Sequence, residues 1–382
     1  MKILQYPQIY TRQRYRILFK GFIEDLYGNP HGKSALVSYV TKPFTHKRLQ
    51  GHPNIAESQV ITKLFDRLGY NVDVVDYFSD TPLRYEKYDV IFGFGAPFES
   101  SFATAAEPLR IYYGTTCQAS FNNDAELRRI REIRARKGLW LRPRRLLEQS
   151  WSRSTALADA LIILGNSHTA GTYEHYSGQQ VFSFDATALL PPVANPVGKN
   201  MESRRNTFLW LGSTTGGVHK GLDLCLECFA ANPEVTLHLC GCLEDEIACA
   251  YRDELSHPNI VAHDFVAVQS PVFGDILRSC AFAILPTCSE GQSTSLLTVM
   301  GQGLIPVTSV AAGIDIEGLG FLIDELTTTG VSRAVEKARH TPSRELEQMA
   351  RKNVERILNR HTLERFEHRL ESILRHLLRQ RG

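Results

Sequence analysis

Glu290, Gly291 and the hydroxyl run Ser293, Thr294 and Ser295 follow directly on the apolar stretch AFAIL, ahead of a short helical pattern and a second apolar run, IPVTS. A carboxylate, a sharp turn and a helix start in that order form a place for a polyol beside an anion. The acid accepts hydrogen bonds from sugar hydroxyls, while the free N–H groups and the dipole of the helix start favour negative charge. The serines and threonine suit an N-cap, Gly303 suits the end of that helix, and 305–310 reads as the next buried strand. A second chemical feature lies earlier, where Lys220 comes just past the glycine-rich run 212–217, GSTTGG, and opens a helix beside His219. From there an ammonium can stand against a diphosphate, with Gly212, Gly216 and Gly217 letting the backbone approach closely. A departing nucleoside diphosphate that has no metal must be met by such fixed cations and oriented amides.

The elements that must carry these residues alternate. Strand-like runs at 35–41, 71–77 and 89–95, then RIYYGTT, 156–165 and 180–184, are separated by helical patterns, among them HPNIAESQVITKLFDRLG. The scheme repeats at 208–211, 236–240, 260–265, 281–285 and 305–310. Such alternation predicts parallel sheets covered by helices on both faces. LLPPVANPV, 189–197, interrupts it with prolines, which places a linker there. The fold class expected is α/β, with two Rossmann-like parallel-sheet domains, 1–195 and 196–360, facing across a cleft at the carboxyl ends of their strands. A length of 382 residues and an apolar fraction of 43% suit two such cores.

The stretch 286–309, PTCSEGQSTSLLTVMGQGLIPVTS, resembles the donor-binding element of retaining glycosyltransferases of family 4 with the GT-B fold, in which an SEG turn precedes a helix and a GLPVV-like strand. The stretch 207–241, with its apolar strand, glycine loop, Lys-Gly pair, helix and Cys-Gly strand end, is similar to the start of that family's C-terminal domain. The resemblance covers 207–309 well and the rest of the chain less. It implies a nucleotide-sugar donor, UDP- or GDP-linked, bound as substrate with no cofactor. Lys220 and Glu290 are then the central pair. Gly212, Ser213, Gly216, Gly217, His219, Gly241, Phe265, Gly291, Gln292, Ser293, Thr294, Ser295 and Thr298 surround the donor. Gly241 and Phe265 come from loops whose backbone recognises the base in this fold. A glycan or lipid-linked acceptor, in polysaccharide or glycoconjugate assembly, would face the N-terminal domain. The last helix, in 361–382, would pack back on that domain. Three positions depart from the family: Thr298 stands where a second glutamate holds ribose, Ser213 where an arginine is common, and Gln118 where a histidine is expected.

On the acceptor side the candidates are Asn54, Gln118 and Asn122. Asn54 begins a helix after a strand and a loop, where it either faces an anion or caps the helix. Gln118 is able to hydrogen-bond a sugar but is no base at neutral pH. Gly93, Gly95 and Glu99 after another strand either admit a sugar or make the turn.

Cys225, Cys228, Cys240 and Cys242 have a zinc-like spacing, but the first pair falls in an amphipathic helix and the second ends a strand, where cysteine serves as a small hydrophobe. No Asp-X-Asp follows a strand, so no metal is expected. The stretch 126–153 holds ten basic and three acidic residues, a net +7 in a chain of net +2. It reads as a helical face paired with nearby acids, as a dock for an anionic membrane or acidic acceptor with Leu139, Trp140 and Leu141 as anchors, or as a nucleic-acid surface without a reader motif. No nucleic-acid partner is expected. The opening residues lack an apolar signal core, which leads to an expected cytoplasmic location, with peripheral contact at the inner membrane face through 126–153. Two rivals to a transferase stay open: a sugar-nucleotide epimerase or phosphorolytic enzyme of the same fold, and a degenerate relative that binds a glycan or partner without turnover.

Overall fold

The structure, a computed structural model, describes residues 21–46, 53–147, 149, 152–193, 200–212 and 215–381. Runs such as ALIIL, TFLWL and FAIL are apolar at consecutive positions rather than alternate ones, so both of their faces need cover. They become central strands of two sheets. The first comprises β1 (Phe22–Ile23), β2 (Lys33–Tyr39), β3 (Tyr70–Asp76), β4 (Val90–Gly93), β5 (Leu109–Gly114), β6 (Ala160–Leu164) and β7 (Gln180–Phe184). Its order is β1-β3-β2-β4-β5-β6-β7, parallel except for the antiparallel edge strand β1.

The second sheet comprises β8 (Thr207–Leu211), β9 (Thr236–Cys240), β10 (Ile260–Ala262), β11 (Phe282–Leu285), β12 (Ile305–Thr308) and β13 (Phe321–Leu322). Its order, β10-β9-β8-β11-β12-β13, is parallel throughout. The chain leaves β8 toward β9 and returns on its other side as β11. That reversal opens a crevice at the carboxyl ends of β8 and β11, where ligands of doubly wound sheets sit. The glycine loop follows β8 and Glu290 follows β11, so neighbouring strands deliver both.

Several boundaries differ from the sequence reading, each for a local reason. The strand expected at 156–165 is confined to β6, because Ser152–Leu157 forms a helix ahead of it. The helix expected to reach Gly303 is Thr294–Met300, capped at Gly301, and Gly303 turns the chain with φ +81°. Lys220 does not open a helix. Gly221 is left-handed at φ +68°, a side chain there would overlap the Pro286 carbonyl, and the helix begins at Leu222. Of the proline-rich stretch, 194–197 lies outside the described residues. Ahead of it Leu189 N donates to Thr298 Oγ1 at 3.0 Å and Val193 N to the Gly301 carbonyl at 2.9 Å.

The helix Leu363–Gln380 packs on the helix Pro53–Arg67, with Arg67 reaching Glu367 and Glu371, and Phe366 meets Phe184 at a ring distance of 5.0 Å. Nearby, Asp185 receives Arg360 at 2.9 Å and also Arg369. Among the described residues no helix is long and apolar enough to cross a membrane.

Burial of one carboxyl has a measurable consequence. Glu57, 2% exposed on the helix Pro53–Arg67, accepts the Thr187 hydroxyl at 2.8 Å. Burial pushes it up from 4.5 to about 7, against the pull of the Thr187 hydrogen bonds. Because the folded value exceeds the unfolded one, this group costs nothing below pH 4.5, destabilises progressively as pH rises to 7, and adds no further cost above that. The full difference is about 3 kcal/mol. Urea unfolding of wild type and Glu57→Gln across pH 4 to 8 is expected to show the variant gaining relative stability over that window; parallel curves would contradict it.

Candidate functional site

Lys220 Nζ and a Glu290 carboxylate oxygen meet in an ion pair at the crevice of the second sheet, with side chains 9% and 12% exposed. Burial alone would raise the Glu290 carboxyl, but Lys220, then Arg145 and His219, outweigh it and hold it at about 2. The carboxylate is therefore an obligate acceptor at neutral pH, oriented by a cation, as a ligand for hydroxyl donors must be. Trp210 braces Lys220 from below, its indole N–H donating to the Lys220 carbonyl at 3.2 Å. A side chain at Gly212 would overlap the same indole.

The glycine loop carries an anion nest. Gly216, at φ +87°, and Gly217 donate their amides to the two carboxylate oxygens of Glu244, at 2.7 and 3.1 Å. Two successive amides converging on one carboxylate form the concavity that holds phosphate oxygens in other loops. Glu244 lies just ahead of the short helix Asp245–Ala250 and gives it no side-chain cap, its carboxylate being turned to the loop. The cavity beside it, about 10 Å³, is lined by Arg142, Arg144, Glu244 and Glu246 among others.

His219 sits 1% exposed, turned away from this nest. Its Nε2 bonds to the Ser289 carbonyl, which only accepts, so Nε2 carries a proton. Nδ1 faces Glu126 Oε2 at 2.7 Å, and one more proton lies between them. Burial raises the Glu126 carboxyl, but the bond and charge of His219, with the Arg144 and Arg145 amides, bring it below the usual range. Cys288 Sγ lies 3.6 Å from His219 Nδ1, so Glu126, His219 and Cys288 form the group of potential metal-ligand atoms that converges among the described residues. The spaced cysteines are placed elsewhere: Cys225 and Cys228 are buried in the helix Leu222–Ala230 and Cys240 on β9.

The turn after Glu290 touches the first sheet. Thr169 Oγ1 donates to the Gly291 carbonyl at 2.7 Å, Cys117 Sγ to the Glu290 carbonyl at 3.0 Å, and a side chain on Gly291 would overlap the Thr115 carbonyl. Gln292 spans the two halves, accepting from Ala186 N at 2.7 Å and donating to the Gly313 carbonyl at 3.1 Å. The carboxyl ends of β5 and β6 thus face those of β8 and β11.

The remaining candidates divide. Ser293 donates its amide to the Ala312 carbonyl at 2.9 Å, and its hydroxyl meets Ser295 Oγ at 3.1 Å. The helix Thr294–Met300 has no side-chain cap, so the first-turn amides of Thr294 and Ser295 keep the direction expected of an anion contact. Thr298 is 2% exposed and its hydroxyl is committed, donating to the Thr294 carbonyl at 2.7 Å and accepting from Leu189 N. Gly241, at φ +149°, ends β9 and donates to the Asp264 carbonyl, while Phe265 is 67% exposed. Ser213 lies outside the described residues. Gln118 caps the helix Ala119–Lys137 through Ser120 N at 2.6 Å, and Asn122 Nδ2 donates to the Arg145 carbonyl at 2.8 Å. Asn54 lies in the first turn of its helix, its carbonyl accepting Ser58 Oγ at 2.7 Å.

The basic stretch turns largely toward the second domain. Arg129 Nη2 meets Asp223 at 2.6 Å, Arg136 meets Asp223 and Glu227, Lys137 meets Glu254, and Arg142 and Arg144 meet Glu246. Five of the ten basic residues of this stretch are thereby paired across the domain interface, while Leu139 and Trp140 remain exposed and Leu141 is buried. Sequence reasoning missed Glu126, Glu244 and Arg145. The acidic run Glu244–Glu246 after a strand-ending glycine was the available signal for one of them.

Two facing Rossmann-like parallel-sheet domains, with the crevice between their strand ends, make this the GT-B fold of glycosyltransferases. Among solved structures the chain is similar to a sucrose-phosphate synthase from Thermosynechococcus elongatus, with a TM-score of 0.65 at 12% identity over 91% of this chain and 99% of that one. It is also similar to the lipopolysaccharide outer core galactosyltransferase WaaB, with a TM-score of 0.59 at 13% identity over 89% and 99%. HepE of Anabaena, solved with UDP and glucose, has a TM-score of 0.56 at 11% identity over 90% and 99%. No protein-family model and no curated protein matches the chain.

Proposed function

We propose that the chain is a retaining glycosyltransferase that moves a sugar from a UDP- or GDP-linked donor to an acceptor hydroxyl without a metal. The observation that carries this reading is the Lys220–Glu290 pair beside the Gly216–Gly217 amide nest, on neighbouring strand ends of a GT-B fold. Glu290 takes the donor sugar's hydroxyls, and Lys220, released from it, meets the diphosphate. The bond from the anomeric carbon to the diphosphate oxygen breaks as the acceptor oxygen bonds on the same face. The acceptor's proton passes to the leaving diphosphate, so no protein nucleophile is needed. A glycan or lipid-linked acceptor from polysaccharide or glycoconjugate assembly lies against the first domain, with exposed Leu139 and Trp140 as the apolar contacts for a membrane surface in a cytoplasmic setting.

A second reading is a degenerate relative that binds without turnover. What favours it is that Glu244 fills the amide nest and the Gln118 and Thr298 side chains are committed within the protein. Calorimetric titration with UDP, GDP and ADP separates the two at the binding step. The transferase reading expects one of them to bind wild type and to weaken by about tenfold or more in Lys220→Ala. No binding by any of the three would favour the degenerate reading.

A further inference from the structure

We propose that Arg145, delivered from the first domain, is the second cation of the diphosphate site in the second domain. The inference rests on the donor reading above. A nucleoside diphosphate brings more negative charge than Lys220 neutralises, and the loop from Gly212 to Gly221 contains no arginine. Arg145 supplies one from outside it. A Cβ on Gly216 would stand 2.6 Å from Arg145 Cγ, 2.8 Å from Cδ and 3.5 Å from Nε. The side chain thus lies across the glycine whose amide, with that of Gly217, already chelates the Glu244 carboxylate. Its charge also reaches the other end of the site, where it helps keep Glu290 ionised.

The backbone of Arg145 is fixed from two sides. Glu126 Oε1 accepts from the amides of Arg144 and Arg145 at 2.8 and 3.3 Å, and Asn122 donates to the Arg145 carbonyl. Glu126 is fixed in turn by His219, next to Lys220. His219 and Asn122 are therefore positioning residues that set one cation relative to the other. Neighbouring Arg142 and Arg144 are engaged by Glu246, whereas the Arg145 guanidinium has no hydrogen bond or ion pair among the described residues. A planar fork whose stem crosses the glycine of an amide nest suits bidentate binding of phosphate oxygens, with the diphosphate exchanging for Glu244.

The test uses the full chain and calorimetry with whichever of UDP, GDP or ADP binds best, then its monophosphate and its nucleoside. Arg145→Ala is expected to weaken the diphosphate by about tenfold or more, the monophosphate less, and the nucleoside hardly at all. Arg145→Lys is expected to recover part of the loss. Arg128→Ala, which removes an equal charge from an exposed pair with Asp124, is expected to bind as wild type does. Equal diphosphate binding by Arg145→Ala and wild type would overturn the proposal, as would a loss equally large for the nucleoside, which would mark a structural role. If Lys220→Ala weakens binding and Arg145→Ala does not, the donor reading stands and this inference alone falls. Failure of wild type to bind any of the three removes both.

Discussion

Lys220→Ala is expected to lower sugar transfer by about 10²–10³-fold, the cost of removing one fixed group that meets charge developing on a leaving group. The same change strands Glu290, now a nearly buried carboxylate without its ammonium, so its protonation should return toward and above the ordinary carboxyl range. Glu290→Gln separates the two roles. In the proposed roles Lys220 meets the diphosphate, so Lys220→Ala should weaken both the free nucleotide and the nucleotide sugar. Glu290 would take the sugar hydroxyls, so Glu290→Gln should leave free nucleotide binding near wild type while transfer falls. Initial rates and calorimetry on both variants check this. Equal loss of nucleotide affinity in the two would contradict the assignment.

The largest expected effect on stability lies in the domain interface. Asp223 is fully buried and receives Arg129 at 2.6 Å and Arg136 at 2.5 Å, and Arg129 is itself 2% exposed. This pair joins the helix Ala119–Lys137 of the first domain to the helix Leu222–Ala230 of the second. Asp223→Ala leaves the buried Arg129 guanidinium with only the partly exposed Glu132 as counter-charge, which costs about 3 kcal/mol. Replacing both partners by apolar residues, Arg129→Met with Asp223→Leu, should recover most of that, because the desolvation cost is then absent as well. Urea unfolding of the wild type and the two variants measures it. A double variant no more stable than Asp223→Ala would show that shape or the Arg136 contact, rather than the stranded charge, sets the cost.

Much of the fold was legible because parallel strands buried on both faces leave apolar runs that need no partner to be recognised. TFLWL, FAIL and ALIIL became β8, β11 and β6, with Lys220 and Glu290 each placed after one of these strands by the sequence, whereas the adjacency of β8 and β11 emerges only from the sheet order. What was not legible depends on groups distant in sequence meeting in space. Arg145 comes to Gly216, and Glu126 to His219, across a domain boundary, with no periodicity to announce it. Thr298 is expected around the donor, where a second glutamate holds ribose in the family, and the structure ties its hydroxyl to the Thr294 carbonyl and the Leu189 amide. The excess charge of 126–153 reads as a surface feature only until the acids it meets, at Asp223, Glu227, Glu246 and Glu254, are brought beside it by folding.

In the proposed reading the donor displaces the Glu244 carboxylate from the glycine-loop nest and parts the contact between the two domains at Gly291. Donor affinity should therefore rise in Glu244→Gln, whose neutral amide holds the nest less strongly than a carboxylate. Titration of the preferred nucleotide into that variant checks this, and weaker binding would mean that Glu244 supports the loop rather than competing for it.

The most direct test of the central claim is to follow the anomeric proton by NMR while the protein turns over the sugar nucleotide whose base it binds, with a simple glycoside as acceptor. Retaining transfer predicts a new glycosidic anomeric signal with the donor's configuration, formed in the presence of chelator and abolished in Lys220→Ala. A product of inverted configuration, or a bound donor that is never consumed, would contradict it.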